Sequence, residues 1–328
     1  MPTENPYVKQ YPDLMQDKTV LYVHGFGSSG QSGTVARLRT VLPQARIVAP
    51  DLPVHPQEAI SLLHNICREQ HPDLIIGTSM GGMYAEQLRG FDRICVNPAL
   101  EIADTMRAHG MTGTQQFQNP RLDGVQEFYV DKALVKEYRD VSEQRFLGLT
   151  DDDRRRVYGL FGDEDTTVDT FGMFSSQYPQ ALHFHGEHRM NDKSFMHSVV
   201  PVIRWIDDRQ AKRERPVVYI GIETLMDAYQ KPTSSMMKAV RLLIERYQVF
   251  FVAPAESETA AEAWLTEHVG VPAWRHTIFT WRRDLLYGDY LVSKEKESAS
   301  LATLLQYGSD TFKTWDDIIE YFSRLGGQ

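Results

Sequence analysis

This sequence has little cysteine, no excess of basic residues and no long apolar run, and each absence excludes a class of protein. Its 328 residues include two cysteines, Cys67 and Cys95, which is too few for a disulfide framework or a cysteine-ligated metal site. Acidic residues outnumber basic ones, 44 against 35, which argues against binding nucleic acid or an anionic membrane as the main role. No apolar stretch approaches the roughly 20 residues of a membrane-spanning helix.

Targeting and nucleotide-binding signals are also missing. Residues 1–17 are polar and contain proline, without the apolar core of a signal peptide or the pattern of a transit peptide. Together with two cysteines in apolar surroundings, this predicts a cytoplasmic protein with free thiols. The glycine-containing stretch 25–33 lacks the Gly-Lys-Ser/Thr ending of a phosphate-binding loop, which excludes that kind of nucleotide site.

The chain is long enough for two domains and has the composition of an ordinary globular protein. Over residues 1–208, short apolar runs alternate with helical patterns, which predicts parallel strands joined by helical crossovers. The polar segment 101–150 breaks this alternation and is interpreted as an insert that caps a site. A charged segment at 209–216 is interpreted as a linker to a second α/β domain at 217–328. The strands predicted in the first domain are 19–23, 46–49, 74–76, 93–96, 156–161 and 181–184.

The segment Gly77-Thr78-Ser79-Met80-Gly81-Gly82 directly follows the apolar run 74–76. Small residues around a serine, between a short strand and the start of a helix, are typical of a nucleophile elbow. Glycine suits positions 77 and 81 because the backbone and a neighbouring strand approach closely there. We therefore predict that Ser79 is a nucleophile, held by a turn that consists of Gly77, Gly81 and Gly82.

A serine hydroxyl needs an adjacent base, which is itself oriented by an acid. In this architecture the two partners follow the serine in the order acid, histidine, each on a loop after a later strand. The acid is predicted to be Asp165, in the turn after the strand that ends at residue 161, with Asp163 as the alternative. The histidine is predicted to be His188, on the loop leaving the last strand, with His197 as the competitor.

Backbone N–H groups complete the predicted catalytic site. A His-Gly-aromatic-Gly turn follows the first strand, so the N–H groups of Phe26 and Met80 are predicted to bind the developing oxyanion. His24 is interpreted as fixing this turn and not as a base. His183 and His185 alternate within a strand, so we expect them to pack or to pair.

Residues 18–208 resemble the α/β-hydrolase superfamily and, more narrowly, the YqiA/YcfP-type small esterases. The resemblance is carried by a short N-terminus without the first two strands, the segment 21–29, the elbow, Asn97-Pro98 after the elbow helix, and Gly186-Glu187-His188. It implies hydrolysis of an acyl ester or thioester through an acyl-enzyme on Ser79, without a metal or organic cofactor. Segment 111–129 departs from the family pattern, so substrate length is not carried over.

The second domain is similar to haloacid-dehalogenase (HAD)-like nucleotidases of the 5'-nucleotidase type, in a degenerate form. In those enzymes the first strand ends in Asp-x-Asp-Gly, and its first aspartate attacks phosphate. Here Gly221 and Glu223 stand at the two acid positions. Asp227 is the remaining acid nearby, but its position in the sequence is wrong for a nucleophile. Ser293 and Lys294 replace later magnesium-binding aspartates, and a lysine repels the cation. The resemblance implies a Rossmann-like α/β domain without phosphatase chemistry, with a regulatory or oligomerising role.

The sequence therefore predicts a doubly wound α/β-hydrolase domain followed by a smaller Rossmann-like HAD-type domain. The first hypothesis is a serine esterase or thioesterase for a small-molecule acyl substrate, with a homo-oligomer as a candidate assembly and no nucleic-acid or membrane partner. The alternative is a non-enzymatic scaffold built from two hydrolase-like domains. A phosphatase is disfavoured by Gly221 and Lys294. The presence of serine, acid and histidine in the required order favours the first hypothesis.

Overall fold

The structure is a computed structural model that describes residues 8–226, 231–296 and 301–325. The chain divides into two compact units, residues 1–209 and 210–328. Each unit contains its own parallel β-sheet. Asp227, considered above as a remaining acid of the second domain, lies outside the described residues.

The first unit is built on a six-stranded sheet in which every neighbouring pair is parallel. Its order is β2-β1-β3-β4-β7-β8, and a separate antiparallel hairpin consists of β5 and β6. The central strands are buried on both faces, which explains why they appear in the sequence as continuous apolar runs. The predicted parallel-sheet α/β fold is therefore confirmed. The strands are β1 (Thr19–Val23), β2 (Arg46–Val48), β3 (Leu74–Thr78), β4 (Arg93–Val96), β5 (Gly113–Gln116), β6 (Glu127–Val130), β7 (Val157–Gly162) and β8 (Ala181–Phe184).

Helices connect the strands of the first unit, and local sequence signals mark where several of them begin. Pro56 occupies the first turn of α2, where its missing N–H has no cost. Asp131 caps α5 by accepting the N–H of Leu134 at 2.8 Å. The helices are α1 (Gly33–Val41), α2 (Pro56–Gln70), α3 (Met80–Gln87), α4 (Ile102–Ala108), α5 (Lys132–Ser142), α6 (Asp151–Arg156), α7 (Phe171–Ser175), α8 (Asp192–Ser194) and α9 (Val200–Ala211), with a π-helical turn (Phe195–Val199) before α9.

The predicted insert, residues 101–150, consists of α4, the β5–β6 hairpin and α5. Its apolar side chains join the core of the first unit, where Leu134 and Tyr138 of α5 are buried. Phe128 of the hairpin packs edge to face on Phe26, with 5.2 Å between the ring centroids. The insert therefore packs against the loop that follows β1.

The two cysteines lie in the core of the first unit as free thiols. Burial raises the pKa of Cys67, on α2, to about 11 and that of Cys95, on β4, to about 12. Both thiols stay protonated near neutral pH, so neither is a reactive nucleophile.

The second unit contains a five-stranded parallel sheet in the order β11-β10-β9-β12-β13. Its core includes Val218 and Ile220 of β9, Phe251 of β10, and Phe322 of the last helix. In the described part of the chain, no helix is both long and apolar enough to cross a membrane. The strands are β9 (Val217–Gly221), β10 (Gln248–Ala253), β11 (Thr277–Phe279), β12 (Tyr290–Ser293) and β13 (Thr303–Gln306), and the helices are α10 (Ser234–Arg246), α11 (Glu258–His268) and α12 (Trp315–Leu325).

Candidate active site

Ser79 lies in the tight turn between β3 and α3, and its backbone has a left-handed φ of 55°. This conformation costs a non-glycine residue about 1–3 kcal/mol and persists only where surrounding structure fixes it. Here the Ser79 N–H donates to the carbonyl of Val96 at 2.9 Å, and its carbonyl accepts the N–H groups of Gly82 and Ala99 at 2.9 and 3.0 Å. The serine is therefore held in a strained conformation by backbone on several sides.

The glycines of the turn are required by close backbone contacts. A Cβ on Gly77 would lie 2.2 Å from the carbonyl oxygen of Gly81, and one on Gly81 would lie 2.0 Å from that of Val23. A Cβ on Gly82 would lie 2.9 Å from Cα of Pro98. Because real Cβ atoms do not approach backbone this closely, β1, β3 and α3 meet only if these positions are glycine.

His188 connects Ser79 to Asp165 through hydrogen bonds. Its Nε2 lies 3.0 Å from Ser79 Oγ, and its Nδ1 lies 2.7 Å from Asp165 Oδ2. The side chain of Asp165 is 3% exposed and that of His188 is 19% exposed. With the proton on Nδ1, Nε2 can accept the serine proton, which is the geometry of an activated nucleophile.

The environment of Asp165 keeps its carboxyl group ionised. Burial alone would raise its pKa, and the hydrogen bond and charge of His188 oppose that rise. The backbone N–H groups of Thr167 and Val168 act in the same direction, donating to Asp165 Oδ1 at 2.7 and 3.1 Å. The net result is a pKa below the ordinary value, so a carboxylate faces Nδ1 of the histidine near neutral pH.

The alternative acid, Asp163, is engaged elsewhere. Its Oδ2 lies 3.3 Å from Nδ1 of His185, and its Oδ1 accepts the N–H of Gly186 at 3.0 Å. Within the described residues, Asp163, Glu164 and His185 also form one group whose ligand atoms lie within 4.8 Å of one another. All three are exposed, and exposed acidic groups commonly lie together without binding a metal.

The remaining histidines of this region lie at other places in the fold. His183, on β8, stacks on Phe171 with 4.0 Å between ring centroids, and His197 lies in the π-helical turn before α9. His24 is buried, with Nδ1 2.8 Å from the carbonyl of Gly25 and Nε2 accepting the N–H of Leu52 at 3.0 Å. Because burial lowers the pKa of His24 and both ring nitrogens are occupied, it is suited to fixing the loop.

The loop after β1 approaches Ser79 directly. A Cβ on Gly25 would lie 3.9 Å from Ser79 Oγ. Across residues 8–226, the N–H groups of Phe26 and Met80 have no protein acceptor. Phe26 lines the same cavity as Ser79, and Met80 directly follows Ser79 in the chain, so these two donors are candidates for binding an oxyanion.

Asn97 is a residue of the site whose role the sequence did not predict. Its side-chain amide donates from Nδ2 to the carbonyl of His188 at 3.0 Å, and its Oδ1 accepts the N–H of Gly162 at 2.8 Å. It is buried, and its backbone φ is 42°. One side chain therefore ties the histidine loop to the end of β7, just before Asp165. The sequence signal, Asn97-Pro98 after a predicted strand, gives no contact partner.

A cavity of about 1200 Å³ opens at Ser79. The insert contributes Met111, Gln115, Gln118 and Asn119 to its wall, so the segment that departs from the family pattern does line the site. Further lining comes from the loop after β1, from the start of α1, and from the turns that carry Asp165 and His188.

Residues 19–178 match an uncharacterised protein family, UPF0227; the matched region includes Ser79 and Asp165 and stops before His188. Among solved structures, the chain is similar to the esterase domain of a Rhodothermus marinus protein, at 16% identity and a TM-score of 0.41, covering 61% of this chain and 90% of that one. It is also similar to ferulic acid-bound Est1E from Butyrivibrio proteoclasticus, at 15% identity and a TM-score of 0.40, covering 65% of this chain and 92% of that one. The thioesterase domain from the curacin biosynthetic pathway matches at 15% identity and a TM-score of 0.35, and the match covers 60% of this chain and 92% of that domain.

Replacing Asn97 by glycine should slow the reaction of Ser79 with a fluorophosphonate, a reagent that modifies activated serines. Glycine accepts a φ of 42°, so this variant removes the amide without adding backbone strain. The loss of buried hydrogen bonds frees the histidine loop, and we expect labelling to slow by about tenfold or more.

Asn97→Ala is the matched comparison, because alanine is strained at this φ. It should slow labelling to a similar degree and lower the melting temperature further than glycine does. A positioning role also predicts that the pH dependence of labelling changes in both variants. Wild-type labelling kinetics in Asn97→Gly would contradict this role.

Proposed function

We propose that this protein is a serine hydrolase of the α/β-hydrolase fold that cleaves a carboxylic ester or thioester through an acyl-enzyme on Ser79. The observation that carries the proposal is the continuous hydrogen-bonded chain from Asp165 through His188 to Ser79. The strained turn at Ser79 and the two N–H donors beside it support the proposal further. A purely binding protein would have no use for a strained serine that faces both a base and unpaired donors.

The mechanism follows from these positions. Ser79 Oγ attacks the carbonyl carbon of the substrate while His188 Nε2 takes the hydroxyl proton. The resulting oxyanion accepts hydrogen bonds from the N–H groups of Phe26 and Met80, and the Asp165 carboxylate stabilises the imidazolium. The tetrahedral intermediate then collapses, and the leaving alcohol or thiol takes the proton from His188, which leaves the acyl group on Ser79.

Deacylation uses the same groups in reverse. His188 Nε2 takes a proton from a water molecule, which attacks the acyl carbonyl carbon. The second oxyanion forms at the same two backbone donors. When this intermediate collapses, Ser79 Oγ leaves and recovers its proton from His188, and the carboxylic acid is released.

We infer that the second unit is a degenerate HAD-like domain with no phosphatase activity. Glu223, directly after β9, accepts hydrogen bonds from Arg283 at 3.0 and 2.8 Å and from Ser293 Oγ at 2.9 Å. Burial alone would raise the pKa of Glu223, but the hydrogen bond and charge of Arg283, together with the hydrogen bond from Ser293, lower it below the ordinary value. A Cβ on Gly221 would lie 2.3 Å from the Glu223 carboxylate, so a side chain at position 221 would require that carboxylate to leave its contacts with Arg283. An internal guanidinium thus neutralises the acid that a cation would need.

Ser79→Ala should reduce hydrolysis of short 4-nitrophenyl esters to the level of the buffer, because no oxygen nucleophile remains for the acyl-enzyme. The expected loss in kcat is on the order of 10⁴-fold or more. Ser175→Ala, at an exposed position of α7, is the control and should keep wild-type turnover. Turnover by a correctly folded Ser79→Ala protein would rule out Ser79 as the nucleophile.

A matched pair of variants distinguishes the roles of Asp163 and Asp165 in the turn after β7. Asp165→Asn should lower kcat by about 10³- to 10⁴-fold, because an amide neither fixes the histidine tautomer nor stabilises the imidazolium. Asp163→Asn should stay close to wild type, since Asp163 contacts His185 instead. The measurement is kcat of both variants on one ester. A larger loss of kcat in Asp163→Asn than in Asp165→Asn would show that Asp163 is the acid.

The protein given magnesium and a nucleoside monophosphate should release no inorganic phosphate, because in the described part of the second unit Gly221 offers no nucleophile and Arg283 neutralises Glu223. The assay is run with the Ser79→Ala variant, so that any release comes from outside the proposed ester site. Release above the rate without protein would show that the second unit is an active phosphatase.

A further inference from the structure

The N-terminus of α1 opens into the cavity that contains Ser79. Ser32, Gly33, Thr34 and Arg37 all line that cavity. Ser32 is the N-cap residue, but its side chain makes no capping hydrogen bond to the nine-residue helix. Within residues 8–226, the N–H groups of Gly33 and Thr34 have no protein acceptor. The uncapped end of α1 therefore presents free donors and the positive end of its dipole to the cavity.

A cluster of hydroxyl groups lies beside this helix end. Ser32 is 6% exposed, and its Oγ has no hydrogen-bond partner in the described part of the chain. The Tyr22 hydroxyl lies 2.8 Å from Oγ1 of Thr78, the residue before the proposed nucleophile. Burial raises the pKa of Tyr22, and the nearby hydroxyls of Thr78, Thr34 and Ser32 with the charge of Arg37 oppose that rise. The hydroxyl groups of Tyr22, Ser32, Thr34 and Thr78 therefore all belong to the part of the cavity wall next to the turn that carries Ser79.

Arg37 adds a fixed positive charge one helical turn after Gly33. Its guanidinium lies over the ring of Phe195, 5.2 Å from the centroid, and its Nε donates to Asp192 Oδ1 at 2.5 Å. Asp192 Oδ1 also forms an ion pair with Nη2 and holds the guanidinium in place, while Nη1 has no partner among the described residues. Glu164 and Glu187 also line the cavity, but they belong to the turns that carry Asp165 and His188. The other arginine of the lining, Arg189, donates to Gln118 Oε1 at 2.7 Å. Hydrogen-bond donors without a protein acceptor among the described residues therefore lie at the α1 end of the cavity.

We infer that the α1 end of the cavity binds an anionic group of the substrate, a phosphate or a carboxylate, at a distance from the carbonyl that Ser79 attacks. Free helix N–H groups, an unpartnered buried hydroxyl and an oriented guanidinium are the donors that such oxygens accept. That the anion belongs to the substrate rests on the proposed hydrolase function. The anion-binding site itself does not depend on that function.

The experiment compares kcat/KM for a charged ester and for a neutral ester that has the same carbon skeleton. In the first arm the charge is a carboxylate on the acyl chain, with mono-4-nitrophenyl glutarate against 4-nitrophenyl pentanoate. In the second arm it is a phosphate on the alcohol, with acetyl glycerol phosphate against acetylglycerol. In at least one arm we expect kcat/KM to be about tenfold or more higher for the charged ester than for the neutral one. A ratio of this size corresponds to one charge-assisted hydrogen bond.

Two arginines on α1 provide the matched variants. Arg37→Gln should bring the ratio of charged to neutral kcat/KM close to one. Arg39→Gln, at an exposed position outside the cavity lining, should keep the wild-type ratio. Ser32→Ala is the second variant if Arg37→Gln lowers the melting temperature, and it should reduce the same ratio. Equal kcat/KM for charged and neutral esters in both arms, or an unchanged ratio in Arg37→Gln, would overturn the inference.

Binding of inorganic phosphate separates this inference from the hydrolase proposal. By titration calorimetry, phosphate should bind the wild type and Arg39→Gln but not Arg37→Gln. If no ester of either kind is cleaved while phosphate binds in this pattern, the hydrolase proposal fails and the anion site stands. If esters are cleaved without charge preference and phosphate does not bind, the anion site is wrong and the hydrolase proposal stands.

Discussion

The close approach of β1, β3 and α3 around Ser79 is the constraint on which the rest of the site depends. Glycine at positions 77 and 81 lets the backbones meet, since a Cβ at either position would collide with a carbonyl oxygen. Overpacking of this kind costs about 1–3 kcal/mol and displaces the backbone. A displaced backbone would release Ser79 from its left-handed conformation and lose the 3.0 Å contact with His188. The stability of the turn and the position of Ser79 therefore have the same cause.

The other parts of the site reach the serine because the carboxyl ends of parallel strands meet at one edge of the sheet. The turn after β7 contributes Asp165, the loop after β8 contributes His188, and the loop after β1 brings Gly25 beside Ser79. Asn97, after β4, joins the first two of these segments through its side-chain amide.

The two units differ in whether the polar groups at this edge of the sheet have partners. In the first unit, several donors at the cavity have no partner among the residues that the structure describes, whereas in the second Glu223 and Arg283 satisfy each other. This difference is the physical reason for assigning chemistry to the first unit.

The sequence predicts those parts of the fold whose signals are local. The buried central strands appear as apolar runs, and the turn around Ser79 needs its own glycines, so both are visible without a structure. The β5–β6 hairpin was not predicted, because β5 is polar and only partly buried and has no apolar alternation. The strands β12 and β13 and the helix α11 of the second unit were also not predicted as elements. The role of Asn97 depends on partners 65 and 91 residues away, which no local pattern gives. The donors at the start of α1 become visible only once Ser32 is seen not to cap the helix.

Trapping the intermediate tests the central claim most directly. The protein is mixed rapidly with a 4-nitrophenyl ester, quenched in acid, digested, and examined by mass spectrometry for the acyl group. The account predicts one acyl group per chain on the peptide that contains Ser79, together with a burst of 4-nitrophenolate equal to the amount of protein. Hydrolysis that proceeds with the acyl group on another residue, or with no burst and no acylated peptide, would contradict an acyl-enzyme on Ser79.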